Sequence, residues 1–256
     1  MNSGVVIDCL KRYNIPELKI GERKMEKRKI SKKDIAVYVM MAVTGILITV
    51  AGIVYEQSFL RIMPLYVSLV ISMLQTKVNR FALLLGGVNS VLYGVVYIYY
   101  KLYGAAFSAL LFSCPIQLLT FIRWNKNKRG NSTELRRMTN KQRILLFAGV
   151  AVLSVGMSVV LPLLGSEYVV LDSITTLLGI AIYFLTMFAF VEYTVLMLVN
   201  CALTVVLYIT MLGGAPDTAT YLIYSVYSFI CVAFAVFEAR RLYAKQQKEK
   251  SESVSE

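Results

Sequence analysis

The chain has 256 residues, 57% of them hydrophobic, with a mean hydropathy of +0.64 and a net charge of +12. Soluble domains average about 45–50% apolar residues. Here the apolar residues fall in long blocks with the basic residues outside them, so the class is a polytopic membrane protein and nucleic-acid binding is disfavoured. Histidine is absent, and Cys9, Cys114, Cys201 and Cys231 show no pairing or metal spacing. That argues against zinc chemistry, Ser–His or Cys–His catalysis and a disulfide framework. Neither an enzyme nor a cofactor or metal site is expected.

Residues 1–34 carry ten Lys/Arg diluted by five acids. They read as a basic cytoplasmic N-tail that fixes topology, with a helix lying on anionic lipid as the sharper alternative. No cleavable signal peptide is expected, because this stretch is hydrophilic and the apolar run after it is too long for one. Eight apolar blocks follow, at about 35–55, 60–75, 81–100, 104–124, 143–164, 169–188, 192–212 and 218–238. Each approaches the roughly 20 residues that a spanning helix needs. The second is the weakest, being short with Arg61 at its start.

Charge supports eight crossings with both termini in the cytoplasm. The N-tail, Lys77 and Arg80, residues 123–143 and the C-tail from Arg240 then hold every Lys and Arg except Arg61 and Lys101. Those two sit at outer helix ends, where long side chains reach the headgroups. Residues 125–142 form a basic cytoplasmic loop, in which Ser132-Thr133-Glu134 is expected to start a short surface helix. The tail 239–256 is rich in Lys, Gln, Glu and Ser and is expected to be disordered beyond Arg241.

Two asparagines stand out inside apolar runs. The offset that aligns Asn89 on Asn200 also brings Val88 onto Val199, Tyr97 onto Tyr208, Ile98 onto Ile209 and Gln117 onto Ser228. The blocks then match as 60–124 against 169–238, with 143–164 as a linker helix and 35–55 as an extra N-terminal helix. The fold class read from this is an all-α polytopic membrane protein of eight transmembrane helices. In it an N-terminal helix precedes a SWEET-like 3+1+3 parallel repeat.

Asn89 is eight residues into its helix, about 12 Å deep in a core of roughly 30 Å. Asn200, Gln117 and Ser228 fall in the same layer. Buried amides in hydrocarbon need partners from another helix or from a ligand. Gln117, Phe121 and Trp124 share one helix face, with Thr120 beside them. Tyr193, Leu196, Asn200 and Thr204 share another, as do Asp172, Thr175, Thr176 and Gly179, and Tyr221, Tyr224, Ser225 and Ser228. Aromatics beside amides suit a planar ring with hydrogen-bonding groups. The competing reading is interhelical glue for the polar residues and a membrane-interface anchor for Trp124.

Several stretches resemble the PnuC-type nicotinamide riboside transporters. Pro115-Ile116-Gln117 through Trp124 is similar to their Pro-x-Gln…Gly-Trp-x-x-Trp segment. Asp172-Ser173-Ile174-Thr175-Thr176 is similar to their Asp-x-x-Thr-Thr motif. Glu192-Tyr193 through Asn200 to Leu207-Tyr208 is similar to their Glu…Trp-x-x-Trp-x-x-x-Asn…Leu-Tyr helix, and Tyr103-Gly104 matches a Tyr-Gly. The family's two helix-seven tryptophans are here Tyr193 and Leu196, its Gly-Trp is Thr120-Phe121, and Ser108 and Ala109 stand where an Asn is expected.

The resemblance implies a facilitator that moves a vitamin or nucleoside-like molecule across the cell membrane by rocking two three-helix bundles. Phosphorylation inside the cell would then trap it. Taken with the polar layer and the helix faces, it points to substrate contacts from Asn89, Gln117, Thr120, Phe121, Trp124, Asp172, Thr176, Tyr193, Leu196, Asn200, Tyr224 and Ser228. Nicotinamide riboside is the substrate it names, and the altered helix-seven pair leaves thiamine, riboflavin or a nucleoside as alternatives. The expected partners are that small molecule and the lipid bilayer, with homo-oligomerisation open. A non-transporting sensor or scaffold using the basic loop is the other reading.

Overall fold

A computed structural model describes residues 32–99, 108–129, 131–163 and 169–255. Eight α-helices occur among them: α1 (Lys32–Val54), α2 (Phe59–Gln75), α3 (Phe81–Tyr99), α4 (Cys114–Lys126), α5 (Asn140–Leu163), α6 (Val169–Met187), α7 (Tyr193–Met211) and α8 (Ala219–Ser255). A π-helical segment, Ser108–Ser113, leads into α4. Among the described residues, Asp34–Val54, Tyr193–Met211 and Pro216–Glu252 contain helix long and apolar enough to cross a membrane. Large apolar side chains such as Ile53, Phe59, Leu145, Val152 and Phe237 are exposed, as suits contact with lipid rather than water.

Six helices form a closed ring. α2 packs on α3 and α3 on α4; α6 packs on α7 and α7 on α8. Two further pairings, α8 with α2 and α4 with α6, join the two sets of three. Small residues permit this in the first set. A Cβ on Gly87 would come within 2.9 Å of Leu118, and one on Gly94 within 2.6 Å of Leu110, so the two glycines let α3 approach α4 and the π-helical segment before it. α5 packs along α6. α1 lies against α2, where Gly52 faces Ile62 and Thr49 Oγ1 meets the Tyr66 hydroxyl at 2.6 Å.

The turns after α2 and α6 are built alike. Val78 (φ 49°) and Ala189 (φ 58°) both adopt left-handed backbone, a conformation costly for a β-branched residue such as Val78. Val78 N–H donates to the Gln75 carbonyl at 2.9 Å and Asn79 N–H to Leu74 at 3.2 Å. In the same pattern Ala189 N–H donates to Thr186 at 3.0 Å and Phe190 N–H to Leu185 at 3.0 Å. These bonds satisfy the last helix carbonyls in the manner of a Schellman turn. Val78 and Ala189 are both buried in one apolar cluster with Trp124, Leu135 and Tyr193, and that burial holds Val78 in its unfavourable conformation. The offset between the matching residues of the two turns is the one that relates Asn89 to Asn200.

The basic loop differs from its sequence expectation. Ser132-Thr133 starts no helix. It pairs antiparallel with Lys128-Arg129, Thr133 opposite Lys128 and Ser132 opposite Arg129. Ser and Thr favour local hydrogen bonding over helix continuation, and here Thr133 Oγ1 donates to the Asn127 carbonyl at 3.1 Å. The loop is gripped from both sides. Arg80 N–H donates to the Asn131 carbonyl at 2.9 Å and Val191 N–H to the Arg136 carbonyl at 2.8 Å.

The tail is likewise corrected. α8 runs as one helix of 37 residues to Ser255, about 55 Å against a hydrocarbon core of about 30 Å. Gln246 explains its order. This buried side chain accepts from Leu135 N–H and donates to the Thr133 carbonyl, each at 2.9 Å. Lys250–Glu134 and Arg129–Glu249 ion pairs extend the contact. The expected N-tail structure, residues 1–31, and the Tyr103-Gly104 match lie outside the described residues.

Candidate functional site

A cavity of about 560 Å³ lies inside the ring of six helices. None of the described residues lining it carries a formal charge. The walls combine amides, hydroxyls, one thiol and aromatic rings with aliphatic side chains such as Ile71, Leu83, Ile182 and Met197.

α3 and α4 supply a polar network. Gln117 Nε2 donates to Ser113 Oγ at 2.9 Å and to Ser90 Oγ at 3.1 Å; Ser90 donates onward to the Gly86 carbonyl at 3.0 Å. Gly86 is required for this arrangement, because a Cβ there would sit 1.8 Å from Gln117 Oε1. Asn89 Nδ2 donates to Ser68 Oγ on α2 at 2.8 Å. The side-chain oxygens of Asn89 and Asn200 are both buried without a hydrogen-bond partner. Leaving such a group unsatisfied costs about 1–3 kcal/mol.

The aromatic walls are held by their polar tips. Trp124 is only 2% exposed, and its Nε1 donates to the Thr186 carbonyl on α6 at 2.8 Å. Its ring meets Tyr193 edge-on with centroids 6.1 Å apart. An anchor at the membrane interface would not be buried in this way. Ser113 Oγ donates to the Tyr183 hydroxyl at 3.1 Å across the α4–α6 junction, and Ser72 Oγ meets the Tyr224 hydroxyl at 3.1 Å across the α2–α8 junction. On the far wall Cys201 Sγ lies 3.8 Å from Ser228 Oγ.

Of the residues singled out in the sequence, the cavity brings together Asn89, Gln117, Thr120, Trp124, Tyr193, Asn200, Tyr224 and Ser228. Phe121 is not on its wall; it packs against Phe81 with centroids 5.9 Å apart. Leu196 is buried in the apolar cluster behind Tyr193. Thr176 is exposed on α6. The side chains of Asp172 and Tyr97 lie outside the described residues. Glu192, from the helix-seven motif, serves the loop instead. Its carboxylate accepts from Met138 N–H at 3.2 Å and from Arg143 Nη2 at 2.6 Å.

Gly179, read on the face of Thr175 and Thr176, is also on the wall, whereas Ser68, Ser90, Ser113, Tyr183 and Cys201, all on it too, were passed over. A signal for them was present. The offset that pairs the two asparagines also pairs Ser68 with Gly179, Ser72 with Tyr183, Ser90 with Cys201 and Ser113 with Tyr224.

Comparison with known proteins agrees with this geometry. The family model described as nicotinamide mononucleotide transporter matches residues 58–239. The fold is similar to a crystal structure of the vitamin B3 transporter PnuC, with a TM-score of 0.67 at 19% identity; the match covers 84% of this chain and 93% of that one. No curated protein matches the sequence.

Proposed function

This chain belongs to the nicotinamide mononucleotide transporter family, and on that premise we propose that it is a facilitator for uptake of an unphosphorylated vitamin or nucleoside-like molecule. Nicotinamide riboside is the first candidate. The observation that carries this reading is the uncharged cavity of about 560 Å³, within the range of small-molecule sites, with unpartnered carbonyl oxygens at Asn89 and Asn200. Aromatic walls suit a planar ring, and the amides suit its hydrogen-bonding edge. A phosphate would need a cation to offset its desolvation, and the described lining offers none. That lining also holds no carboxylate pair to relay protons, which favours facilitated diffusion.

Two three-helix bundles, α2–α4 and α6–α8, would rock about the site. The matched turns at Val78 and Ala189, and the recurrence of cavity residues at the Asn89–Asn200 offset, support a parallel 3+1+3 repeat with α5 as linker. Eight crossings with cytoplasmic termini are supported by charge. Asp34, Lys77, Arg80, the basic loop and the end of α8 gather at one end of the helices through the Lys77–Asp34, Arg80–Asn131 and Lys250–Glu134 contacts. Arg61 and Asp217 pair at 2.6 Å at the other.

Uptake into proteoliposomes of nicotinamide riboside, thiamine, riboflavin and nucleosides tests the reading. Saturable uptake of at least one is expected, reduced at least tenfold by Asn200→Ala. Absence of uptake for the whole panel would sink it.

A further inference from the structure

The two halves of the cavity differ beside their asparagines. Asn89 is anchored by a serine on the neighbouring helix, with Nδ2 2.8 Å from Ser68 Oγ. The offset that takes Asn89 to Asn200 takes Ser68 to Gly179. α6 packs on α7 as α2 packs on α3, and the turns joining each pair share the same backbone hydrogen bonds. Gly179 therefore takes the place that Ser68 holds in the first half, and it offers Asn200 no hydroxyl. Both residues line the cavity, and Asn200 Oδ1 is buried without a partner.

Close packing does not account for this glycine. A Cβ on Gly86, Gly87 or Gly94 would collide with an α4 side chain or with Leu110 just before it, whereas one on Gly179 would meet nothing within 4 Å. Glycine inside a helix is destabilising relative to alanine, and no contact demands it here.

We propose that Gly179 sets specificity by leaving the Asn200 amide to the ligand. The first half of the cavity fixes its asparagine with protein; the second half keeps both ends of its amide for a ligand edge that carries a donor beside an acceptor, such as a carboxamide. This rests on the transporter reading for the ligand's identity. The geometry at position 179 does not.

Gly179→Ser and Gly179→Ala in the full-length protein test it. Space for either side chain is present, so both should fold. Alanine adds helix propensity alone, while serine also supplies the hydroxyl that Ser68 gives Asn89. Gly179→Ser should melt about 2 °C above Gly179→Ala, and the difference should vanish when Asn200→Ala is added. The initial rate of nicotinamide riboside uptake into proteoliposomes should fall at least tenfold in Gly179→Ser and less in Gly179→Ala. Equal melting of the two variants, or wild-type uptake by Gly179→Ser, overturns the proposal. If the unaltered protein takes up none of the candidate substrates, the transporter reading falls, while the melting comparison still decides whether position 179 faces Asn200.

Discussion

Tyr224 and Ser72 meet at 3.1 Å across the α2–α8 junction. Their counterparts at the Asn89–Asn200 offset are Ser113 and Tyr183, which meet at 3.1 Å across the α4–α6 junction. The two joints of the ring thus carry the same hydrogen bond with serine and tyrosine exchanged. Both tyrosines come from α6–α8, so that bundle supplies the rings and the other supplies the hydroxyls that hold them. Loss of one such bond, worth about 1 kcal/mol, corresponds to about a fivefold change in an opening equilibrium. Tyr224→Phe should therefore raise the rate at which a maleimide labels Cys201 in detergent-solubilised protein about fivefold. The Ser72→Ala/Tyr224→Phe double variant should gain no more than either single one. Labelling indistinguishable from the unaltered protein would remove the joint from the account.

The loop and the end of α8 should come apart together. Gln246 satisfies Leu135 N–H and the Thr133 carbonyl from a buried position. Gln246→Ala leaves two buried backbone groups unsatisfied, a loss of about 1–3 kcal/mol. Limited trypsin digestion of the full-length protein should then cut at Arg136 or Arg137 at least fivefold faster. An unchanged cleavage rate would show that the loop is held by other contacts.

Acid should loosen the same region. The Lys250 ammonium, hydrogen-bonded to Glu134, holds that carboxyl below its ordinary value, with further help from Arg129 and Arg136. A carboxyl whose folded value is depressed contributes stability above its unfolded value, about pH 4.3. That contribution is lost as pH falls through the folded value. Amide exchange of residues 246–253 should therefore be faster in Glu134→Gln than in the unaltered protein at pH 7, and the gap should close below about pH 4. The pair is half-exposed, so the effect is small and should shrink further in salt.

Much of this architecture could be read from residue order. Apolar block length and charge placement located the eight helices because a helix in lipid must be apolar along its whole length. The layer of Asn89, Gln117, Asn200 and Ser228 was visible because an amide in hydrocarbon is conspicuous. Tyr183 was not, since a tyrosine in an apolar run looks like ordinary core until Ser113 is found opposite it. Leu196 and Phe121 were read as site residues, but Leu196 is buried in the apolar cluster with Tyr193 and Phe121 packs against Phe81. The end of α8 was hidden for a different reason. Its composition is that of a linker, and its order comes from Thr133 and Leu135, far away in the chain. The i,i+4 pairs Lys245–Glu249 and Lys248–Glu252 were the local hint of helix.

The grip of both turns on the basic loop turns that loop into a tether of fixed reach. Arg80 holds it at Asn131 and Val191 holds it at Arg136. The chain between those carbonyls can stretch to about 18 Å at most. Whatever parts the two turns can do so only to that limit before one hydrogen bond gives way, so the length of this short segment bounds how far that end of the cavity can open.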